Sequence, residues 1–347
     1  MIPQTYPSTL SANNRMQMVV FVLTDVTGLT RWVDYIPVKP PTTLNTNFAN
    51  TFETQGYLLT SSLSSISGKQ AWLDYIPVYI DYAATIPYST NASGYIPMDV
   101  FVISNLFAAG EQGVWYDPSD FSTMFQDAAG TIPVTAVGQP VGRILDKSGR
   151  GNHATQTTST KRPVLQQDAN GKYYLLFDGI DDALQTASIN FTATDKVTVW
   201  AGVRKLAGTV TQIIAELSST AFSTDSTFSL RGPTLTSDSY AFTSRGTIFA
   251  GAEISGYPPP HTSVLTGIGN ISGDSAVLKV NGVQVASTIT DQGTGNFGNY
   301  PLYIGSRGGT SNPFNGRLYS LIIRGAQSTA AQISNTETYV NSKTGAY

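Results

Sequence analysis

The sequence has no cysteine and few charged side chains, and both absences exclude classes of protein. The lack of cysteine among 347 residues rules out disulfides and thiolate metal sites and leaves the redox compartment open. Charged residues make up only 12% of the chain and the net charge is −3, so it lacks the basic surface of nucleic-acid-binding proteins. The longest early apolar run, Met18–Leu23, is far too short to cross a bilayer. We therefore expect neither nucleic-acid binding nor membrane insertion.

A secretory signal is also missing from the N-terminal segment. MIPQTYPSTL has no basic region and no apolar region of the kind that export signals contain. The composition nevertheless favours β-structure with many turns, because the chain has 32 glycines and 18 tyrosines and little charge. A chain of this length is expected to form about two domains. The Gly110–Gly113 segment is the predicted boundary, with a small β domain over residues 1–110 and a larger domain over residues 111–347.

An internal repeat organises the first domain. The segment Trp32–Val38 recurs as Trp72–Val78, with an offset of 40 residues, and both copies end at a proline that blocks further strand pairing. One interpretation is a duplicated edge strand. The other is an assembly interface, since exposed aromatic side chains often anchor contacts between subunits. The candidate interface residues are Trp32, Tyr35, Trp72 and Tyr75.

Three motifs follow one another in the second domain. They are WYDPSD at residues 115–120, DKSGRGNHATQ at 146–156 and FDGIDDAL at 177–184, with a short RPVL segment at 162–165 between the last two. In this order they resemble the concanavalin-A-like (laminin-G-like) jelly-roll modules of tailed-bacteriophage virion proteins. The resemblance covers about residues 114–345, roughly two thirds of the chain. The residues before it match no family pattern of this kind.

Local patterns in the second domain agree with a sandwich. Lys196–Lys205 alternates apolar and polar residues like a half-buried strand, with Trp200 on the polar face. Asn281-Gly282, between two alternating segments, predicts a type I′ hairpin. Ser328 is the predicted N-cap of a helix that ends near Gly345 and packs through Ala330, Ile333 and Val340. The predicted fold class is all-β: a small N-terminal β domain, then a jelly-roll sandwich with one short C-terminal helix.

The resemblance implies a non-enzymatic structural protein on the outer surface of a phage particle. The first domain would attach to other virion proteins and form a homo-oligomer, for which a trimer is one option. The second would be displayed outward for adhesion to host-surface glycans. A tail fibre or appendage and a capsid decoration fit equally well. The alternatives are a carbohydrate-binding lectin module and, less favoured, a polysaccharide depolymerase.

Catalytic side chains are sparse, which is why the enzyme is the weakest alternative. The jelly-roll glucanases use a Glu-x-Asp-x-(x)-Glu strand motif, because a retaining glycosidase needs two facing carboxylates. This chain has five glutamates, and no two lie within five residues of each other. Neither histidine, His153 nor His261, has a G-x-S-x-G partner.

Two kinds of binding site remain to be considered. An acidic turn offers oxygen ligands for Ca²⁺ at Asp178, Asp181 and Asp182, with Asp146 and Asn152 as neighbours; otherwise no cofactor is expected. The alternative is that these carboxylates accept hydrogen bonds from the turn's own amides. Glycan contact would use exposed aromatic and amide side chains, as the resemblance implies. Those candidates are Trp200, Tyr257, Phe297, Asn299 and Tyr300.

Overall fold

The computed structural model describes residues 31–32, 57–58, 71–72, 96–97, 101–219, 224–234 and 236–347. The chain forms two compact units, Met1–Phe101 and Val102–Tyr347. Four two-residue strands are described in the first unit: β1 (Arg31–Trp32), β2 (Tyr57–Leu58), β3 (Ala71–Trp72) and β4 (Ile96–Pro97). β1 pairs with β3 in parallel, and β2 pairs with β4 in antiparallel orientation.

The sequence repeat coincides with the pairing of β1 and β3. Trp32 lies opposite Trp72, so the pairing register has the same offset of 40 residues as the repeat. The two copies therefore begin on neighbouring strands at equivalent positions. Tyr35 and Tyr75 lie outside the described residues, so the interface role of the repeat stays a prediction.

The second unit is a sandwich of seventeen further strands and one α-helix. The strands are β5 (Gly113–Tyr116), β6 (Met124–Phe125), β7 (Arg143–Ile144), β8 (Ala154–Thr155), β9 (Val164–Gln167), β10 (Tyr173–Asp178), β11 (Leu184–Asn190), β12 (Lys196–Lys205), β13 (Ile213–Leu217), β14 (Thr227–Arg231), β15 (Tyr240–Arg245), β16 (Phe249–Ile254), β17 (His261–Asn270), β18 (Ser275–Val280), β19 (Val283–Thr288), β20 (Asn299–Ile304) and β21 (Asn315–Arg324). The helix α1 spans Ala330–Thr344. Short 3-10 helices span Ile103–Phe107, Phe121–Thr123 and Ser159–Lys161.

Two antiparallel sheets form the sandwich. The first has the order β19-β18-β17-β12-β21-β10-β9, with β5 also pairing to β21. The second has the order β16-β15-β14-β13-β20-β11-β8-β7-β6. Strands that are neighbours in space are often far apart in sequence, as in jelly rolls. The predicted fold class, all-β with one C-terminal helix, is confirmed.

The core lies between the sheets and is made of aliphatic and aromatic side chains. Alternate residues of β12, Val197, Val199, Ala201 and Val203, belong to it, as the alternating pattern predicts. Phe228 packs edge-to-face against both Phe191 and Phe297, a favoured geometry for aromatic rings. Burial of these side chains supplies the main favourable term for the sandwich.

The outer face of β12 is also buried, which differs from the predicted half-buried strand. Trp200 is 0% exposed, because α1 packs across the outer side of the first sheet. Gly202 shows how close the contact is: a Cβ there would lie 2.5 Å from Thr344 Cγ2 and 2.9 Å from Val340 Cγ1. Local alternation reports the face toward the core, and it carries no information about an element that covers the other face.

Helix α1 begins one residue later than predicted. Its N-cap is Thr329, whose hydroxyl accepts a hydrogen bond from Gln332 N in a capping box. It ends near Gly345 as predicted; this glycine has the left-handed conformation that is common after the last turn of a helix. Of the predicted contact residues, Val340 is buried, Ile333 is half-buried and Ala330 is exposed. The other side chains of the buried face are polar: Thr336, Glu337 and Thr344.

The structure also tests the predicted hairpin and shows where the chain divides. The Asn281-Gly282 hairpin is confirmed between β18 and β19, with φ of 51° and 78° at the two turn residues. The chain divides into its two compact units after Phe101, and the predicted boundary at Gly110–Gly113 stays a prediction. The 3-10 helix Ile103–Phe107 buries three side chains in the second unit. No described helix meets the length and apolarity needed to span a membrane.

Candidate functional site

The first two sequence motifs meet in a polar cluster with two buried carboxylates. We name it the motif network; its members are Trp115, Asp117, Asp146, Lys147, Asn152, Tyr339 and Lys343. Asp146 is its first centre. One of its carboxylate oxygens accepts hydrogen bonds from Trp115 N at 2.9 Å and Ser148 N at 2.8 Å, and the other from Asn152 N at 3.0 Å. The side chain of Asn152 in turn donates to Gly113 O at 2.8 Å. Asp146 and Asn152 therefore hold the DKSGRGN loop against β5.

Asp117 is the second centre and connects the network to α1. Its Oδ2 accepts hydrogen bonds from Tyr339 Oη at 2.8 Å and Lys343 Nζ at 3.0 Å, and Lys147 Nζ lies 3.6 Å away. Burial opposes ionisation of Asp117, but the contacts with Ser119, Lys343 and Tyr339 prevail and hold its pKa below the usual value. The WYDPSD motif thus joins the C-terminal helix to the sheet.

The third motif forms a tight acidic turn after β10. Asp178 Oδ1 accepts from the backbone N–H of Ile180 at 2.8 Å and of Asp181 at 3.3 Å, and Asp182 Oδ2 accepts from Asp178 N at 3.0 Å. These are the bonds expected if the carboxylates accept hydrogen bonds from the turn's own amides. The three carboxylates nevertheless lie close together, with one oxygen of each within 4.8 Å of the others.

Asp182 is the buried carboxylate of this turn. Its burial, reinforced by the negative charge of Asp178, raises its pKa from 3.8 to about 6. Asp146 and Asn152, the expected neighbours of a metal site, are engaged in the motif network instead. Ca²⁺ binding by Asp178, Asp181 and Asp182 stays a prediction.

The predicted glycan-binding residues do not form one site. Trp200 and Phe297 are 0% and 1% exposed, so neither ring offers a face on which a sugar could stack. Tyr257 and Tyr300 are half-buried against the core, and Asn299 is exposed. Asn299 and Tyr300 lie on β20, whereas Tyr257 follows β16, which three strands separate from β20 in the second sheet.

A different surface feature is a concavity that the sequence did not single out. It is an open cleft with a volume of about 230 Å³. We name it the threonine cleft; its lining residues are Thr155, Gln156, Thr157, Thr158, Lys161, Ala183, Leu184, Gln185, Gly308, Gly309 and Thr310. Four threonines, two glutamines and a lysine give it a polar wall, and none of the lining residues is aromatic.

Three chain segments build the threonine cleft. β8 pairs with β11, which places Thr155 opposite Gln185. Gln156 fixes the segment that follows, because its side chain donates to Ala183 O at 2.9 Å and accepts from Thr158 N at 3.0 Å. The second and third motifs therefore supply two walls of the cleft at the points where they leave the sheet.

The third wall is the turn after β20. Arg307 and Ser311 pair through their backbones, and Gly308 and Gly309 between them have φ of 57° and 70°. Arg307 Nε donates to Glu216 Oε2 at 3.1 Å, and Glu216 is fully buried. Desolvation of Glu216 raises its pKa in spite of the arginine. This buried ion pair anchors the turn to β13.

Polar atoms in the threonine cleft are open to solvent. Thr157, Thr158, Gln185 and Thr310 are exposed. Their side chains make no hydrogen bond with the residues that the structure describes. The cleft therefore differs from the motif network, in which nearly every polar atom has a partner. Exposed hydroxyl and amide groups in a concavity can exchange hydrogen bonds with water for hydrogen bonds with a ligand.

The glutamates and histidines of the described residues lie apart from one another, and each contacts another partner. The four described glutamates contact different partners: Glu111 with Arg324, Glu216 with Arg307, Glu253 with Thr234 and Glu337 with Lys279. His153 Nδ1 accepts from Asp146 N at 3.0 Å. His261 Nδ1 lies 2.8 Å from Ser263 Oγ, but this serine is fully buried.

Comparisons with known proteins give a weak likeness of fold. No protein-family model matches the chain, and no curated protein matches it at a significant level. Among solved structures, the receptor-binding domain of botulinum neurotoxin type G is 12% identical with a TM-score of 0.43, over 57% of this chain and 49% of that one. A structure titled for type C cell entry through two ganglioside molecules is 10% identical with a TM-score of 0.46, over 69% and 53%. The chain spans about half the length of these structures. The function therefore has to be argued from its own residues.

Proposed function

We propose that the second unit is a non-enzymatic binding module that recognises carbohydrate through the threonine cleft. The observation that carries this proposal is the open cleft lined by four exposed polar side chains, Thr157, Thr158, Gln185 and Thr310, that make no side-chain hydrogen bond with the described residues. Sugars present many hydroxyl groups, and each needs a hydrogen-bond partner when it leaves water. With a volume of about 230 Å³, below the roughly 300–1,000 Å³ of drug-sized pockets, the cleft suits one or two sugar rings.

The architecture supports a binding role for this surface. The segments on both sides of the cleft are held by hydrogen bonds of Gln156 and by the buried Glu216–Arg307 pair. A site whose supporting residues are already fixed loses little conformational entropy when a ligand binds. The polar side chains of the lining are left free to adapt to the ligand.

The experiment is a glycan array with the full-length protein and two variants. Thr310→Trp fills the cleft from its exposed wall and should abolish binding. Thr294→Trp makes the same change at an exposed position outside the lining and should bind like the wild type. Absence of binding by the wild type to all glycans, or equal binding by T310W, would refute carbohydrate recognition at this cleft.

We further propose that the chain is a structural protein of a tailed-phage particle, displayed on its outer surface. The order of the three motifs supports this placement, and the first unit would provide attachment and oligomerisation. Tail fibre and capsid decoration remain equal options. Mass spectrometry of purified particles of a phage that encodes this chain should detect its peptides, and labelling with antibody should distinguish tail from capsid. Intact particles without the protein would contradict the placement.

A further inference from the structure

Lys161 gives the threonine cleft a charge that its other residues lack. It is the only charged side chain among the eleven described residues that line the cleft. Its main chain is fixed, because Lys161 O accepts a hydrogen bond from Ala183 N at 3.1 Å. The neighbouring Arg162 is occupied with the carbonyl groups of Gln156 and Thr157 and so strengthens the wall.

The ammonium group of Lys161 has only a weak partner among the described residues. Its Nζ lies 3.9 Å from Asp181 Oδ2, and the two side chains are 35% and 39% exposed. Exposed ion pairs of this kind contribute about 0–1 kcal/mol. The lysine head can therefore turn toward a ligand in the cleft at little cost.

The turn that forms the third wall adds uncharged donors. Gly308 and Gly309 both have positive φ, and their backbone N–H groups donate to no residue that the structure describes. Consecutive backbone N–H groups in a turn of this kind can bind an anionic oxygen. Gly308, Gly309 and Lys161 thus belong to the same lining as the threonines.

The absence of an aromatic ring from the lining limits how a neutral sugar could be held. A sugar ring has no aromatic side chain to stack on in this lining, so affinity has to come from hydrogen bonds. Hydrogen bonds that involve a charged group are roughly twice as strong as neutral ones. Lys161 could donate to either kind of sugar, but only an acidic sugar adds the attraction between opposite charges to that hydrogen bond.

We infer that the threonine cleft selects an acidic saccharide and that Lys161 binds its carboxylate or sulfate group. This inference rests on the proposed function and adds the class of ligand. Asp181 then acts as a competitor, since it holds the lysine head when the cleft is free. The same acidic turn therefore weakens binding of the anion that Lys161 attracts.

The test measures affinity of the full-length protein on an array that pairs acidic oligosaccharides with neutral counterparts. Uronic acid oligosaccharides are paired with carboxyl-reduced forms, and sulfated ones with desulfated forms, which distinguishes the two anionic groups. We expect binding of acidic forms only, with an affinity that falls as salt concentration rises. Lys161→Met should reduce the affinity at least tenfold, Lys161→Arg should retain much of it, and Asp181→Asn should increase it two- to fivefold.

A matched control is available at Lys196. Its side chain is 34% exposed and pairs with the neighbouring Asp195, so Lys196→Met removes a comparable surface lysine outside the cleft. K196M should bind like the wild type. Equal binding of acidic and neutral forms, lost in T310W but retained in K161M, would overturn the inference and leave the proposed function standing. Failure of the wild type to bind any member of the array would refute both.

Discussion

The motif network and the threonine cleft use similar polar side chains for opposite purposes. In the network, Asp117 and Asp146 are buried, and each accepts several hydrogen bonds. In the cleft, Thr157 and Gln185 are exposed and have no described side-chain partner. Buried polar groups are costly unless they are paired, whereas exposed ones are paired by water until a ligand arrives. The sequence motifs therefore hold the fold together, and the threonine cleft, our proposed binding site, lies where two of them end.

The largest expected effect comes from breaking the network at its buried carboxylate. Asp117→Ala removes the acceptor for Tyr339 and Lys343 and should lower the free energy of unfolding by about 3–5 kcal/mol. Chemical denaturation measures this loss of unfolding free energy. The control is Asp225→Ala, which removes an exposed ion pair with Arg245 and should cost under about 1 kcal/mol. Equal losses in the two variants would contradict the assignment of Asp117 as a structural centre.

The acidic turn gives an intermediate, pH-dependent effect. The folded pKa of Asp182, about 6, lies above its ordinary 3.8, so the folded state binds the extra proton between these values. Stability from this group is therefore present below about pH 4 and lost as the pH rises through 6. Asp182→Asn keeps an oxygen for Asp178 N–H and should remove this loss, stabilising the protein by about 2 kcal/mol at pH 7.

Denaturation of the wild type and D182N at several pH values between 4 and 7 measures that difference. Two parallel curves would show that Asp182 titrates normally. Calcium ions added at pH 7 address the predicted metal site in the same experiment. A calcium-dependent gain in the wild type that D182N lacks would support metal binding, and no gain in either would support the turn-capping alternative.

A smaller effect is expected where the network meets the helix. Tyr339 Oη donates to Asp117 and accepts from Trp115 Nε1 at 3.3 Å. Tyr339→Phe leaves the half-buried indole N–H without this acceptor and should cost about 1–2 kcal/mol, measured as a shift in the urea midpoint. Tyr300→Phe provides a matched hydroxyl deletion outside the network. A cost for Y300F as large as that for Y339F would argue against a special role for the contact.

The smallest effect on stability is expected in the cleft itself. Gln185→Ala removes an exposed amide and should change the free energy of unfolding by no more than about 0.5 kcal/mol. Glycan binding should nevertheless weaken measurably. A large loss of stability in Q185A would show that the cleft belongs to the structural part of the molecule, which would erase the distinction between the two regions.

Local patterns in the sequence predicted much of the fold and little of the site. Alternation located the core face of β12, and Asn281-Gly282 located a hairpin, because both signals depend on neighbouring residues. The burial of Trp200 depends on α1, more than a hundred residues away, and so left no local signal. The threonine cleft combines residues 155–158 and 161, 183–185 and 308–310. The run of threonines after His153 and the paired glycines at 308–309 were visible, but only the sheet order brings them together.

The most direct test of the account is a binding measurement on four proteins in parallel: wild type, T310W, K161M and D117A. The readout is affinity for the best acidic glycan of the array, together with the unfolding free energy. We expect T310W and K161M to lose binding with unchanged stability. We expect D117A to lose stability but to bind normally when folded. Normal binding by T310W, or loss of binding only in D117A, would contradict the separation of fold and site on which the proposal depends.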